Sequence, residues 1–131
     1  KESSAASDVY KRQGLLIAAV VYMNEFPDHD SDKQTGKNTL IVVFGPEKAR
    51  FGYVALVASA FISIIVMALN GIFPKLTLIT LISAYFGITA TTTLYKHYNS
   101  RLLQPANWGT IYLHSAAGFL FCIGIWLGTP V

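Results

Sequence analysis

A chain of 131 residues that is 53 % apolar and only 13 % charged carries about half the charge of a soluble domain, where roughly a quarter of residues are charged. With a positive mean hydropathy, that deficit points to a membrane protein with room for about three or four spans of roughly twenty residues each. The net charge of +3 has no clustered basic surface behind it, which argues against a nucleic-acid-binding role, and the single cysteine, Cys122, excludes an internal disulfide and reads as a small packing residue.

Residues 3–13 read Ser-Ser-Ala-Ala-Ser-Asp-Val-Tyr-Lys-Arg-Gln, the in-frame translation of a transposon adapter used in sequencing libraries. Residues 1–13 are therefore expected to be non-native and are set aside from the fold, since they also lack the apolar core of a signal peptide. The native part then starts near Gly14. Residues 15–23 are apolar but too short to cross a bilayer alone, and read as the end of a span (14–23). A polar stretch follows, treated as one acidic loop over 24–50. Pro27 suits the first turn of a new short helix there, because its missing N–H costs nothing at that place. Gly36 allows a sharp turn, and Gly45-Pro46 breaks the brief apolar run 40–44.

Three uncharged apolar spans complete the chain, over 51–69, 76–95 and 110–127, separated by Asn70-Gly71 with Pro74-Lys75 and by the polar connection 96–107. Their polar positions are mostly Ser, Thr and Gly at four-residue spacing: Ala55, Ser59 and Ser63; Ser83, Gly87 and Thr91; Gly124 and Gly128. Small residues at that interval let membrane helices approach closely. Trp108, Tyr112 and Trp126 lie where an aromatic belt belongs. The reading is an all-α, multi-pass transmembrane bundle. Six basic residues (Lys33, Lys37, Lys48, Arg50, Lys96, Arg101) flank the same side and only Lys75 the other, which puts the acidic loop in the cytoplasm. The connection 96–107 lies on that side too, so both segments are expected to line one pocket.

The chemistry concentrates at Asn24 to Leu40. This stretch holds four of the seven acidic residues, and from Lys48 onward there are none. Asp28 and Asp32 stand one helical turn apart on one face. If one helix ran through the stretch, Asn24, Asp28, Asp32 and Glu25 would share an arc of roughly 100°; the aspartate pair survives a break at Pro27. Two carboxylates with a neutral oxygen donor suit Mg²⁺, which takes one or two carboxylates, keeps waters and reaches phosphates. Lys33 and Lys37 repeat the four-residue spacing on another face, where cations balance a diphosphate. A solvated loop whose acids only cap a short helix is the plain alternative. A calcium loop fails, because Lys33 stands at the glycine position and Thr39 at the closing glutamate. His114, inside the last span, reads first as a helix-to-helix hydrogen bond; Lys96, His97, Tyr98 and Arg101 read as interfacial anchors.

The pattern Asn24-x-x-x-Asp28-x-x-x-Asp32-Lys33-x-x-Gly36-Lys37-x-Thr39-Leu40 resembles the second aspartate-rich motif of the UbiA-type intramembrane aromatic prenyltransferases. The Asn24-Glu25-Phe26-Pro27-Asp28 opening and the closing Lys33 and Lys37 most resemble the branch acting on 1,4-dihydroxy-2-naphthoate in menaquinone biosynthesis. The resemblance implies the C-terminal part of a nine-helix fold, residues 14–131, without the first aspartate motif, and a fragment inactive alone. It implies Mg²⁺-assisted transfer of a polyprenyl group from polyprenyl diphosphate to an aromatic acceptor, in the bilayer of a bacterial or archaeal cell membrane. Asp28 and Asp32 are then the catalytic metal ligands, Asn24 a third ligand, and Lys33 and Lys37 the diphosphate contacts. A reading from another class stays open: a small membrane subunit or transporter piece whose acidic loop binds a cation or a partner.

Overall fold

The computed structural model describes the backbone of residues 2–128 and the side chains of residues 14–100 and 102–128. The side chains of the set-aside segment 1–13, and of Arg101, lie outside the described residues. Helix α1 spans Glu2–Gln34, α2 Leu40–Phe44 and α3 Pro46–Leu69. A 3₁₀ segment, Lys75–Ser83, leads into α4, Ala84–His97, and a 3₁₀ turn, Arg101–Leu103, leads into α5, Gln104–Gly128. Among the described residues three stretches, Pro46–Leu69, Lys75–His97 and Gln104–Gly128, are long and apolar enough to cross a membrane. The protein is a helical, integral membrane bundle.

The acidic stretch departs from the loop expected of it. No new helix starts at Pro27; α1 runs through it to Gln34. The ring deprives the Met23 carbonyl of its usual donor, a defect that costs a helix interior about 3 kcal/mol. Packing of the turn before Pro27 holds it. Met23 and Phe26 are buried, and the Tyr22 hydroxyl donates to the Ala49 carbonyl across 2.9 Å. Gly52 makes room for that tyrosine, since a β-carbon there would lie 2.5 Å from the Tyr22 oxygen.

One end of the bundle gathers the charged and aromatic groups. The Arg50 guanidinium at the start of α3 lies 4.5 Å from the ring centre of Tyr95 and 5.1 Å from that of Tyr98. Cation–π contacts of this kind tie the start of α3 to the end of α4. Deeper in, Tyr53 pairs with Thr110 at 2.9 Å. Because Thr110 already donates to the Ala106 carbonyl, the tyrosine must be the donor, and the chain of bonds joins α3 to α5.

The opposite end is held by close backbone approach. Buried Thr77, Thr80 and Ser83 recur every third residue, the repeat that a 3₁₀ helix places in a single row. Thr77 and Ser83 donate to the carbonyls of Pro74 and Thr80, three residues back. This row meets Gly124, where a β-carbon would stand 2.6 Å from the Thr77 α-carbon, and Gly128, where one would stand 2.4 Å from Pro74. Phe73 and Phe121 meet edge to face at 5.1 Å. Ser83 and Gly87 of the second small-residue stripe are buried as well. Ala55 and Ser59 are instead exposed along an apolar groove with Tyr22 and Phe44. Cys122 is exposed rather than packed, while Trp108 and Trp126 face outward near the two ends of α5. Replacing Gly124 with alanine forces backbone apart, so Gly124→Ala should lower stability by about 1–3 kcal/mol, read from denaturant unfolding of the full-length protein in mixed micelles.

Candidate functional site

Continuity of α1 through Pro27 places Asn24, Asp28 and Asp32 on one strip of a single helix, four residues apart. Asn24 and Asp28 are exposed, and Asp32 is buried. The strip is fixed at its upper end by Asn107 of α5, whose side-chain N–H donates to the Asn24 amide oxygen at 3.1 Å. In the sequence Asn107 is only the last residue of the polar connection 96–107. A contact across eighty-three positions leaves no local signal.

The lower end is fixed by the way α1 stops. Gly36 has φ +73°, the left-handed conformation that glycine adopts without penalty. The Gly36 N–H bonds to the Lys33 carbonyl at 3.4 Å and the Lys37 N–H to the Asp32 carbonyl at 2.9 Å. This pair of bonds is the Schellman arrangement, which sets the second residue after the helix over the last turn. Here that residue is Lys37. Its Nζ lies 3.2 and 3.3 Å from the two carboxylate oxygens of Asp32. The Thr35 hydroxyl closes the cap on the Ser31 and Asp32 carbonyls.

The two lysines thus differ from the pairing expected by spacing. Lys33 is on the helix and exposed, whereas Lys37 is past its end and turned back onto Asp32. After the cap, Thr39 accepts from the Val42 N–H and starts α2. The connection following α4 meets the acidic stretch, as expected. It forms a polar hollow of about 290 Å³ with Phe26, Pro27, His29 and Asp30. Phe26 and Asp30 lie roughly 160° around α1 from Asp28, and neither Asp28 nor Asp32 is part of this hollow's lining. Asp30 is occupied there with His29, at 2.8 Å. The Nδ1 of His114 is buried with no partner among the described residues, in place of the expected helix-to-helix bond.

Chemically, the strip offers two carboxylates and an amide oxygen. Among the described residues no three His, Cys, Asp or Glu side chains converge into a preformed cage. A donor set of this size and hardness fits Mg²⁺, which leaves much of its shell to water and phosphate oxygens. It does not resemble the nitrogen and sulfur cages of structural zinc.

The model of the UbiA prenyltransferase family matches residues 12–115, a stretch containing every residue of the strip and both lysines. Over 117 residues the chain is 28 % identical to 1,4-dihydroxy-2-naphthoate octaprenyltransferase of Escherichia coli (strain K12), in a match covering 87 % of this chain and 37 % of that protein. The chain therefore spans little more than a third of the length of that curated relative. No solved structure matches it. The cap geometry carries its own test. In the full-length protein Gly36→Ala should cost about 1–2 kcal/mol because an L side chain strains the left-handed backbone, and Gly36→Asn clearly less; thermal unfolding in detergent compares the two.

Proposed function

Because the chain belongs to the UbiA prenyltransferase family, we propose that the whole protein transfers a polyprenyl group from polyprenyl diphosphate to an aromatic acceptor, and that this segment supplies its second acidic motif. On this reading the acceptor is 1,4-dihydroxy-2-naphthoate, the product chemistry is that of menaquinone biosynthesis, and the segment is the C-terminal part of a longer bundle that also carries a first acidic motif. The name of the relative and the Asn24-to-Leu40 motif support this choice. The excess of basic residues around the acidic end supports a cytoplasmic placement.

The single observation that carries the proposal is the unbroken helix that aligns Asn24, Asp28 and Asp32 and stops at Gly36. Asp28 and Asp32 would hold Mg²⁺, with Asn24 completing the strip from above. When bound, the ion offsets the negative charge that grows on the departing diphosphate. The chain's own residues do the rest. Lys33, exposed in the last turn of α1 next to Asp32, would meet a polyanion at the water boundary. Lys37 adds a second positive charge beyond the cap. Asn107 holds the Asn24 amide in one orientation, so its oxygen is aimed before substrate arrives. Apolar spans on the membrane side exclude water from an allylic cation, which water would otherwise quench.

With the full-length protein, polyprenyl diphosphate, 1,4-dihydroxy-2-naphthoate and Mg²⁺, Asp28→Ala or Asp32→Ala should lower turnover at least ~100-fold, the scale of losing a major electrostatic contribution. Near-parental turnover in both variants would remove the metal-ligand assignment. Chelating divalent ions with EDTA should stop turnover, and added Mg²⁺ should restore it; product formation by chromatography reads both.

A further inference from the structure

The ion pair at the end of α1 is asymmetric. The Asp32 side chain is 10 % exposed and that of Lys37 63 % exposed. A carboxylate so buried is costly to leave without a positive partner, and it is fixed on a helix. Its partner is a compact ammonium on a flexible four-carbon stem that reaches in from solvent. The lysine can leave by rotating about its side-chain bonds alone. The aspartate cannot follow it. Even after leaving, Lys37 stays anchored one residue beyond Gly36 by its backbone bond to the Asp32 carbonyl.

Both Asp32 oxygens face the Lys37 ammonium, so an incoming divalent ion meets a positive charge on the donor atoms it needs. Ion and ammonium repel each other and compete for the same lone pairs. We infer that Lys37 is a built-in counterion of Asp32 that a divalent cation must displace, and that the displaced ammonium then serves the diphosphate. The inference rests on the proposed metal role of Asp32 and adds an order to it. Without diphosphate, the bare cation binds weakly, because Lys37 holds its place. With diphosphate, the released lysine gains a partner, and cation and diphosphate bind together more tightly than either alone. This exchange leaves each charge opposed in both states: the carboxylate by the ammonium before, and the carboxylate and polyanion by the cation and ammonium after. Lys33 lacks this geometry. It neighbours Asp32 in sequence but points from an adjacent face of the helix, about 100° away, so it feels the cation only through the general field.

Mn²⁺ binding to the full-length protein in micelles, followed by electron paramagnetic resonance without any diphosphate, tests the exchange directly. Lys37→Gln should bind Mn²⁺ about three- to fivefold more tightly than the parent, the scale of one partly exposed ion pair. Lys33→Gln removes the same charge nearby and should change affinity by less than about twofold, as should Lys37→Arg, which retains the pair. Inorganic pyrophosphate should tighten Mn²⁺ binding more in the parent than in Lys37→Gln. Unchanged or weaker Mn²⁺ binding by Lys37→Gln, with binding abolished in Asp32→Asn, would overturn the exchange while leaving the metal assignment in place. Equal tightening in Lys37→Gln and Lys33→Gln would also overturn it, since charge alone would then explain the gain. Parental Mn²⁺ binding in Asp32→Asn would overturn both.

Discussion

A buried carboxylate at a membrane boundary needs a cation, and the way α1 ends provides one. The left-handed turn at Gly36 returns the chain on itself, and the bond from the Lys37 N–H to the Asp32 carbonyl puts a lysine where an apolar contact usually accompanies this cap. The same turn releases the chain toward Thr39, which starts α2. One backbone conformation therefore decides where the helix stops, which charge faces Asp32, and how the chain returns to the bundle. The strip from Asn24 to Asp32 has chemical meaning only because both of its ends are held in this way, by the cap below and by Asn107 above.

Holding the strip is the work of the bundle. Tyr22 reaches the Ala49 carbonyl, Arg50 lies against Tyr95 and Tyr98, and Tyr53 bonds to Thr110. These contacts gather the polar end of the molecule. In a bilayer, apolar helices have no hydrophobic reason to prefer one another over lipid, so such directed contacts and close backbone approach decide the arrangement. The far end uses the second device. A slender 3₁₀ segment brings Thr77 against Gly124, and hydroxyls that would be unsatisfied in lipid bond back to the carbonyls of their own helix. The two ends differ in the means that hold them: directed polar contacts at one, close backbone packing at the other.

Much of this was legible in the sequence. Uncharged runs marked the three spans to within a few residues at most ends, because hydropathy is a sum over many positions and tolerates local exceptions. Four-residue spacing marked Asn24, Asp28 and Asp32 as one face. Individual exceptions were not legible. Pro27 argued for a break, and the burial of Met23 and Phe26 before it and of Asp32 after it accounts for the helix continuing. The threefold row of Thr77, Thr80 and Ser83 falls outside the fourfold spacing of an α-helix and follows that of a 3₁₀ helix. Lys37 was paired with Lys33 by helical spacing, although Gly36 ends the helix between them and sends Lys37 to Asp32. Arg50 counts in the sequence only toward the sidedness of charge, and Asn107 only as the end of a polar connection, because their partners are distant in sequence. Local pattern predicts elements; it says little about which side chains meet across them.

The central claim is that Asp28 and Asp32, a turn apart on one continuous helix, hold a divalent ion against a diphosphate. A crystal structure of the full-length protein with Mn²⁺ and inorganic pyrophosphate, located by anomalous scattering from manganese, tests it most directly. An anomalous peak is expected within coordinating distance of both carboxylates, with the Lys37 ammonium turned from Asp32 to a pyrophosphate oxygen. Manganese and pyrophosphate bound away from both aspartates, with the α1 helix intact, would contradict it.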